Sequence, residues 1–239
     1  MKTKALVVHA AKLKERGEHV RNMLQSMGID YEFISEGDVD GLTGDLLDRF
    51  FVDGKVAMHQ PTSRTSCSAK HFLAYEYIVK NDLPEALILE DDIVLHKNFV
   101  PLFNRSLNEY RNEYVGKNVM ISYEDSTLKL VPRSMRRKGK MLYNGSRDRT
   151  TGAYLINQQA AKAILDYLKK EKCDVPIDWY HNQLIQQGKV VYLWCHPAIA
   201  TQGSFSGEFY SSLSSKSNRL LSIRWWLKKN YKRLLYWLR

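Results

Sequence analysis

The stretch Ala86-Leu87-Ile88-Leu89-Glu90-Asp91-Asp92-Ile93-Val94-Leu95 constrains this chain more than any other. Four apolar residues run into three consecutive carboxylates, and three more apolar residues follow. A short apolar run with polar bounds reads as a buried strand. Three adjacent acids at its end repel one another unless a cation lies between them. Both facts are met by a strand of an open α/β sheet that offers carboxylates to a divalent metal, because such sheets bind ligands at the carboxyl ends of their strands. The alternative is a solvated acidic turn between two strands with no role, and the apolar residues on both sides argue against it.

The flanking sequence supplies the rest of such a sheet. Ala5 to His9 reads as a first strand, Lys12 to Met27 as a helix stopped by Gly28, and Asp30 to Ile34 as a second strand. Leu42 to Phe51 is a short amphipathic piece, and a longer helix starts near Ser66 and ends at Asn81-Asp82-Leu83-Pro84. Phe99 to Tyr110 reads as helix and Val119 to Tyr123 as strand, with Glu124 and Asp125 just past its end. Thr151 to Ile156 is a strand, and Asn157 caps a helix from Gln158 to about Lys169. A helix from Asp178 to Gln187 and a last strand, Val190 to Leu193, complete the alternation. Strands alternating with helices predict an α/β fold with a central mixed, mainly parallel sheet covered on both faces. No G-x-G-x-x-G or P-loop lysine supports a dinucleotide site or an NTPase.

Charge is unevenly placed. The chain of 239 residues carries a net charge of +10, but residues 219–239 hold seven lysines and arginines and no acid, which leaves +3 for everything before them. On a helical projection Leu220, Ile223, Trp226, Leu227, Tyr231, Leu234, Trp237 and Leu238 share one face, opposite Lys228, Lys229, Lys232, Arg233 and Arg239. A basic amphipathic helix with interspersed aromatics suits an anionic membrane surface. Docking on the body or on a second subunit is the rival reading. Nucleic acid is not expected, because the basic residues stop at the tail and no recognition motif accompanies them. Residues 129–149 form a second basic segment, from Lys129 to Arg149, suited either to solvent or to phosphates. The expected organisation is a catalytic domain over 1–203, a Gly/Ser-rich linker over 204–218, and the tail helix over 219–239. Three unpaired-by-spacing cysteines (Cys67, Cys173, Cys195) and the lack of an apolar run of spanning length predict a cytoplasmic protein peripheral to the inner membrane.

A metal held by one or two carboxylates, with its open positions on phosphate oxygens, is how Mg²⁺ or Mn²⁺ serves phosphate chemistry. A sugar nucleotide fits: its diphosphate leaves, and a second carboxylate takes a proton from the acceptor hydroxyl. By spacing alone a nuclease, nucleotidyltransferase or phosphotransferase fits as well, and a non-catalytic basic membrane-binding module is the remaining rival.

The order of motifs resembles glycosyltransferase family 25, the bacterial lipooligosaccharide galactosyltransferases and their relatives. The resemblance runs from about Leu6 to Gln202. It is carried by Glu15-Arg16, by Cys67-Ser68-Ala69-Lys70-His71, and by Leu83-Pro84 with the strand into Glu90-Asp91-Asp92. Thr151-Gly152-Ala153-Tyr154-Leu155-Ile156, Pro176-Ile177-Asp178 and the segment from His196-Pro197 to Gln202 follow in the same order. Two positions depart from the family pattern: Lys70 stands where serine usually precedes the helix histidine, and Gly17 follows Arg16 where a second arginine is usual. The resemblance implies a GT-A-like fold, a UDP-sugar donor (commonly UDP-galactose), Mn²⁺ or Mg²⁺, and inverting transfer, β-1,4-galactosyltransferase-like, to a lipid-linked oligosaccharide acceptor. It further implies Asp92 as the main metal ligand, with Glu90 at the metal or ribose and Asp91 beside them. Asp178 is then the expected general base, with Glu124 second. Arg16 is expected at the donor phosphates and His71 at the acids or nucleotide, with Gln202 and His196 placed only by the pattern.

Overall fold

The expected alternation is realised in a computed structural model that describes residues 3–53, 58–206 and 218–235. The chain opens with β1 (Lys4–Val8), α1 (Lys14–Ser26) and β2 (Tyr31–Ile34), then α2 (Gly44–Phe50) and α3 (Ser63–Lys80). Next come β3 (Glu85–Glu90), β4 (Ile93–Leu95), α4 (Phe99–Glu113) and β5 (Val119–Ser122). The second half holds β6 (Leu142–Asn144), β7 (Ala153–Asn157), α5 (Gln158–Leu168), α6 (Ile177–Gln186) and β8 (Val191–Cys195). It closes with β9 (Ala200–Gln202), α7 (Gly203–Ser206) and α8 (Asn218–Leu235).

Seven strands form one sheet in the order β2-β1-β3-β7-β5-β8-β6. β1 pairs in parallel with β2 and β3, and β5 with β8, whereas β7 and the edge strand β6 run antiparallel to their neighbours. The architecture is therefore α/β with a mixed, mainly parallel sheet, as the pattern predicts. Period-two alternation divides the core: Leu6, Val8, Ala86 and Ile88 face a layer holding Phe50, Phe72, Ile164 and Leu184, while Ala5, Val7, Leu87 and Leu89 face Val20, Leu24, Phe99 and Phe103. Both faces of the central strands are buried under helices, which is why these strands read as unbroken apolar runs.

Three local results differ from the pattern reading. α3 starts three residues early because the Thr62 hydroxyl accepts from the Thr65 amide at 3.1 Å, an N-cap that the apolar period alone does not reveal. The stretch 86–95 is two strands: β3 ends at Glu90, the chain turns at Asp91-Asp92, and β4 leaves the main sheet to pair antiparallel with β9. The basic segment 129–149 contributes β6 to the sheet edge. Of the expected linker, residue 204 onward begins within α7, and 207–217 lie outside the described residues, as do Trp237, Leu238 and Arg239 of the tail.

Candidate active site at the carboxyl edge of the sheet

Parallel β1 and β3 end side by side, with Val8 paired to Glu90, so the β1–α1 loop and the acidic turn meet at one sheet edge. They wall a cavity of about 1150 Å³ together with the start of α3, Gln202 and the flank of α8. Glu90, Asp91, Asp92, Arg16 and Gln202 all line it. His71, Glu124 and Asp178 do not.

The three acids, equivalent in sequence, have separate environments. Glu90 accepts from the Thr151 hydroxyl at 2.5 Å and from the Gln202 side-chain amide at 2.9 Å. Gly152 permits that second bond, since a Cβ there would lie 2.5 Å from Cγ of Gln202. Asp91 is saturated by His9 Nδ1 at 3.0 Å, the Ala10 amide at 3.2 Å and the Arg16 guanidinium at 3.0 Å. Burial alone raises its pKa, but the hydrogen bonds from His9 and Arg16 outweigh it and hold the carboxyl below its usual range. Arg16, expected at donor phosphates, is thus paired to Asp91 at the cavity wall and fastens the first turn of α1 to the acidic turn. Asp92 is 5 % exposed and its Oδ1 has no hydrogen-bond partner. Burial, then the neighbouring Glu90 charge, lift its pKa to about 6.

His71 lies beneath Glu90, fully buried, at the end of a chain of hydrogen bonds. His181 Nδ1 meets Asp148 at 2.6 Å, and His181 Nε2 meets the Tyr75 hydroxyl at 2.8 Å. Tyr75 meets Tyr154 at 2.6 Å, and Tyr154 meets His71 Nδ1 at 2.8 Å. With His181 donating through Nδ1 and accepting through Nε2, one donor order satisfies the chain. His181 Nδ1–H donates to Asp148, Tyr75 donates to His181, Tyr154 donates to Tyr75, and His71 Nδ1–H donates to Tyr154. Nε2 of His71 is left as a bare lone pair, buried, without a hydrogen-bond partner and 3.5 Å from Glu90. Burial lowers the His71 pKa and keeps the ring neutral. The relay was hidden in the sequence, where Tyr75 counts only as one apolar side of a helix, although His71 and Tyr75 at i and i+4 do share a face.

Glu124 is wholly buried under this site, accepting from the Ser126 hydroxyl at 2.5 Å and the Gly152 amide at 2.9 Å. Burial raises its pKa to about 8. It supports the Gly152–Gln202 contact from below and has no face on the cavity. Asp178 occupies the first turn of α6, partly buried, where burial and Asp148 raise its pKa; its charge reaches Cys67 on the cavity wall. His196 lies on another side of the sheet end, its ring against Tyr143 and its pKa lowered to about 4 by burial and by Arg136 and Arg149. Arg149, from the basic segment, is buried and donates to the carbonyls of Glu124 and Cys195, both at 3.1 Å.

Lys70, the departure from the family pattern, is buried and pairs with Asp38 at 2.5 Å and with the His9 carbonyl. It ties α3 to the two loops that frame the cavity.

For a divalent cation the donor set fits. Asp92 Oδ1, Gln202 Oε1 and His71 Nε2 are buried acceptor atoms without hydrogen-bond partners; Gln202 meets Glu90 through its amide nitrogen, and His71 Nε2 lies 3.5 Å from Glu90. Donor-free lone pairs in a buried site are what a cation satisfies. Cys67, His71 and Glu90 bring ligand atoms within 4.8 Å of one another, which adds a soft thiol to the oxygen and imidazole donors.

A mainly parallel α/β sheet with carboxylates and cations around a cavity at its carboxyl edge has the arrangement in which open α/β sheets hold their ligands. The chain belongs to glycosyltransferase family 25 (LPS biosynthesis protein), whose model matches residues 2–180. It is similar to the lipooligosaccharide biosynthesis protein lex-1 of Haemophilus influenzae, 27% identical over 160 residues, which cover 62% of this chain and 52% of that protein. The chain thus spans about half the length of this curated relative. Among solved structures it is similar to mouse xyloside xylosyltransferase 1 in its apo form, with 12% identity, a TM-score of 0.40, and 80% and 84% of the two chains covered. It is also similar to a glycosyltransferase involved in the glycosylation of the major capsid of PBCV-1, with 9% identity, a TM-score of 0.46, and 95% and 100% covered. The family assignment rests on the sequence match.

Proposed function

We propose that this chain is a metal-dependent, inverting glycosyltransferase that moves a hexose, galactose by family resemblance, from a UDP-sugar to a sugar hydroxyl of a lipooligosaccharide or lipopolysaccharide acceptor. The observation that carries the reading is that Glu90, Asp92 and Gln202 line one cavity, with buried oxygens of Asp92 and Gln202 lacking hydrogen-bond partners. Asp92 and Glu90 would hold Mn²⁺ or Mg²⁺, which neutralises charge on the leaving diphosphate. Asp91 and Arg16 keep the first turn of α1 against the acids, Thr151 and Gln202 orient Glu90, and His71 stands beneath it. In the transfer, the acceptor oxygen forms the new bond to the anomeric carbon, the bond to the diphosphate oxygen breaks, and the hydroxyl proton passes to a carboxylate. Asp178 is the proposed base: a carboxyl with a raised pKa is better matched to proton abstraction near neutral pH. Trp179, next to it, leaves its indole 63 % exposed, a flat apolar surface of the kind a sugar ring covers. Glu124, the second candidate, is supported less by its burial than by its link to Gly152.

The membrane surface is proposed for the outer face of α8. No described helix is long and apolar enough to cross a membrane. Ile223, Trp226, Tyr231 and Leu234 of α8 nevertheless stand 56–75 % exposed along one side, a patch suited to lying in a lipid interface.

The test is product analysis with UDP-galactose and Mn²⁺. Release of UDP, lost in Asp92→Asn, is expected; release of UMP or pyrophosphate would move the assignment to a nucleotidyl- or phosphotransferase. Sedimentation with anionic vesicles should be lost on replacing Trp226 and Leu234 with serine, and unchanged sedimentation would refute the membrane reading.

A further inference from the structure

The tail helix does not stand apart from the catalytic body. Trp225 Nε1 donates to the Ser126 carbonyl at 3.0 Å, Lys229 pairs with Asp125 at 2.9 Å, and Lys232 Nζ donates to the Leu128 carbonyl at 3.4 Å. Lys229 also lies over the Trp225 ring, 4.3 Å from its centre. The segment Asp125 to Leu128 that receives these pins is the one whose Ser126 hydroxyl bonds Glu124 and accepts the Gln202 amide. α8 is therefore in register with the residues that hold Glu90. The residues turned inward come from the basic edge, and the apolar face is left outside.

One helical step from the pins, Arg224 and Lys228 stand at i and i+4, so they share a flank. That flank lines the cavity. Of the body's wall cations, Arg16 pairs with Asp91 and Lys70 with Asp38, which leaves Lys12 of the β1–α1 loop beside the helix's own pair. Arg224 and Lys228 have no carboxylate partner among the described residues. Two cations without partners, rigidly carried to the mouth of a cavity floored by metal-suited acids, form an anion site opposite a cation site.

We infer that α8 is the phosphate-binding wall of the donor pocket, with Arg224 and Lys228 taking the diphosphate of a nucleoside diphosphate. This deepens the proposed function and rests on it. An arginine fork grips phosphate oxygens in pairs, and a lysine adds a mobile point charge beside it. It also makes the tail a part of the site, so that the helix whose outer face is offered to lipid has its inner flank on the donor.

The experiment is calorimetric titration of the full chain with UDP, with uridine and with inorganic pyrophosphate, each in Mn²⁺, for wild type and for Arg224→Ala/Lys228→Ala. UDP and pyrophosphate affinities should fall roughly tenfold in the double variant, with a shallower salt dependence, while uridine binding stays equal. The outer-face variant Trp226→Ser should bind all three as wild type does. Matching thermal melts would confirm that the exposed substitutions leave the fold intact. UDP bound equally by wild type and double variant would overturn the inference and leave the glycosyl-donor reading standing. Wild-type protein that binds neither UDP nor pyrophosphate would overturn both.

Discussion

The Tyr154 hydroxyl stands 2.8 Å from His71 Nδ1, and through this one contact β7 in the middle of the sheet governs a ring on α3 beneath the acidic turn. Tyr154 also meets Tyr75 at 2.6 Å, so the tautomer of His71 is tied to Asp148 at the far end of the relay. Low local dielectric makes such a chain strong when complete and costly when broken.

Tyr154→Phe should therefore cost about 2 kcal/mol, because it leaves the buried His71 N–H without an acceptor. Tyr75→Phe should cost a similar amount. Urea unfolding of the double variant should give less than the sum of the two, since both remove links of one chain. Additive costs would show that the hydroxyls act separately.

Glu124 makes stability depend on pH. Its pKa is about 8 in the folded chain, raised by burial, against an ordinary value of 4.5. Between those values the folded state binds more protons than the unfolded one, so stability falls as pH rises. The slope approaches about 1.4 kcal/mol per pH unit at most. Glu124→Gln, which keeps an acceptor for the Gly152 amide, should flatten the decline in melting temperature between pH 5 and about 8. A decline of the same slope in the variant would place its origin in another group.

Gly152→Ala should destabilise by about 1–3 kcal/mol through overpacking, as the new Cβ meets Gln202 at 2.5 Å. The strain has a specific relief. Adding Gln202→Ala should restore thermal stability while leaving nucleotide binding weak, because Glu90 still lacks its amide donor. No recovery in the double variant would show that the backbone itself cannot accept a side chain at 152.

The Lys70–Asp38 pair should respond asymmetrically. Asp38→Ala leaves a buried ammonium with only the His9 carbonyl and should cost about 3 kcal/mol. Lys70→Met removes the charge, keeps the stem volume, and should fall within about 1 kcal/mol of wild type. Chemical denaturation of both variants checks the order, and equal losses would mean that the ion pair contributes no more than its packing.

Much of the fold was legible along the chain. Continuous apolar runs at Ala5 to Val8 and Ala86 to Leu89 marked strands covered on both faces, and Asn157 does cap α5, accepting from the Ala160 amide at 2.9 Å. These signals are local: burial on both faces removes alternation from a strand, and a cap acts within three residues. The short strands β6 and β9 were missed because each is three residues long and owes its pairing to a distant partner, β8 or β4. The tail's periodicity separates its apolar and basic residues but carries no information on which edge meets the body. Trp225 and Lys229 find partners in the Asp125 to Leu128 segment about a hundred residues earlier, and that turns the basic edge inward.

By itself the sequence determined the α/β class, the place of the acidic strand end in it, and a motif order that marks glycosyltransferase family 25. What Glu90, Asp91 and Asp92 each do was left to the tertiary structure. Three adjacent carboxylates differ because Asp91 meets donors from the β1–α1 loop and from Arg16 on α1, Glu90 meets Thr151 and Gln202 from the other half of the chain, and Asp92 keeps an oxygen without a donor. A carboxylate's role is set by the groups within about 3 Å of it, and here those groups come from residues 9 to 202. Only folding brings them to one sheet edge.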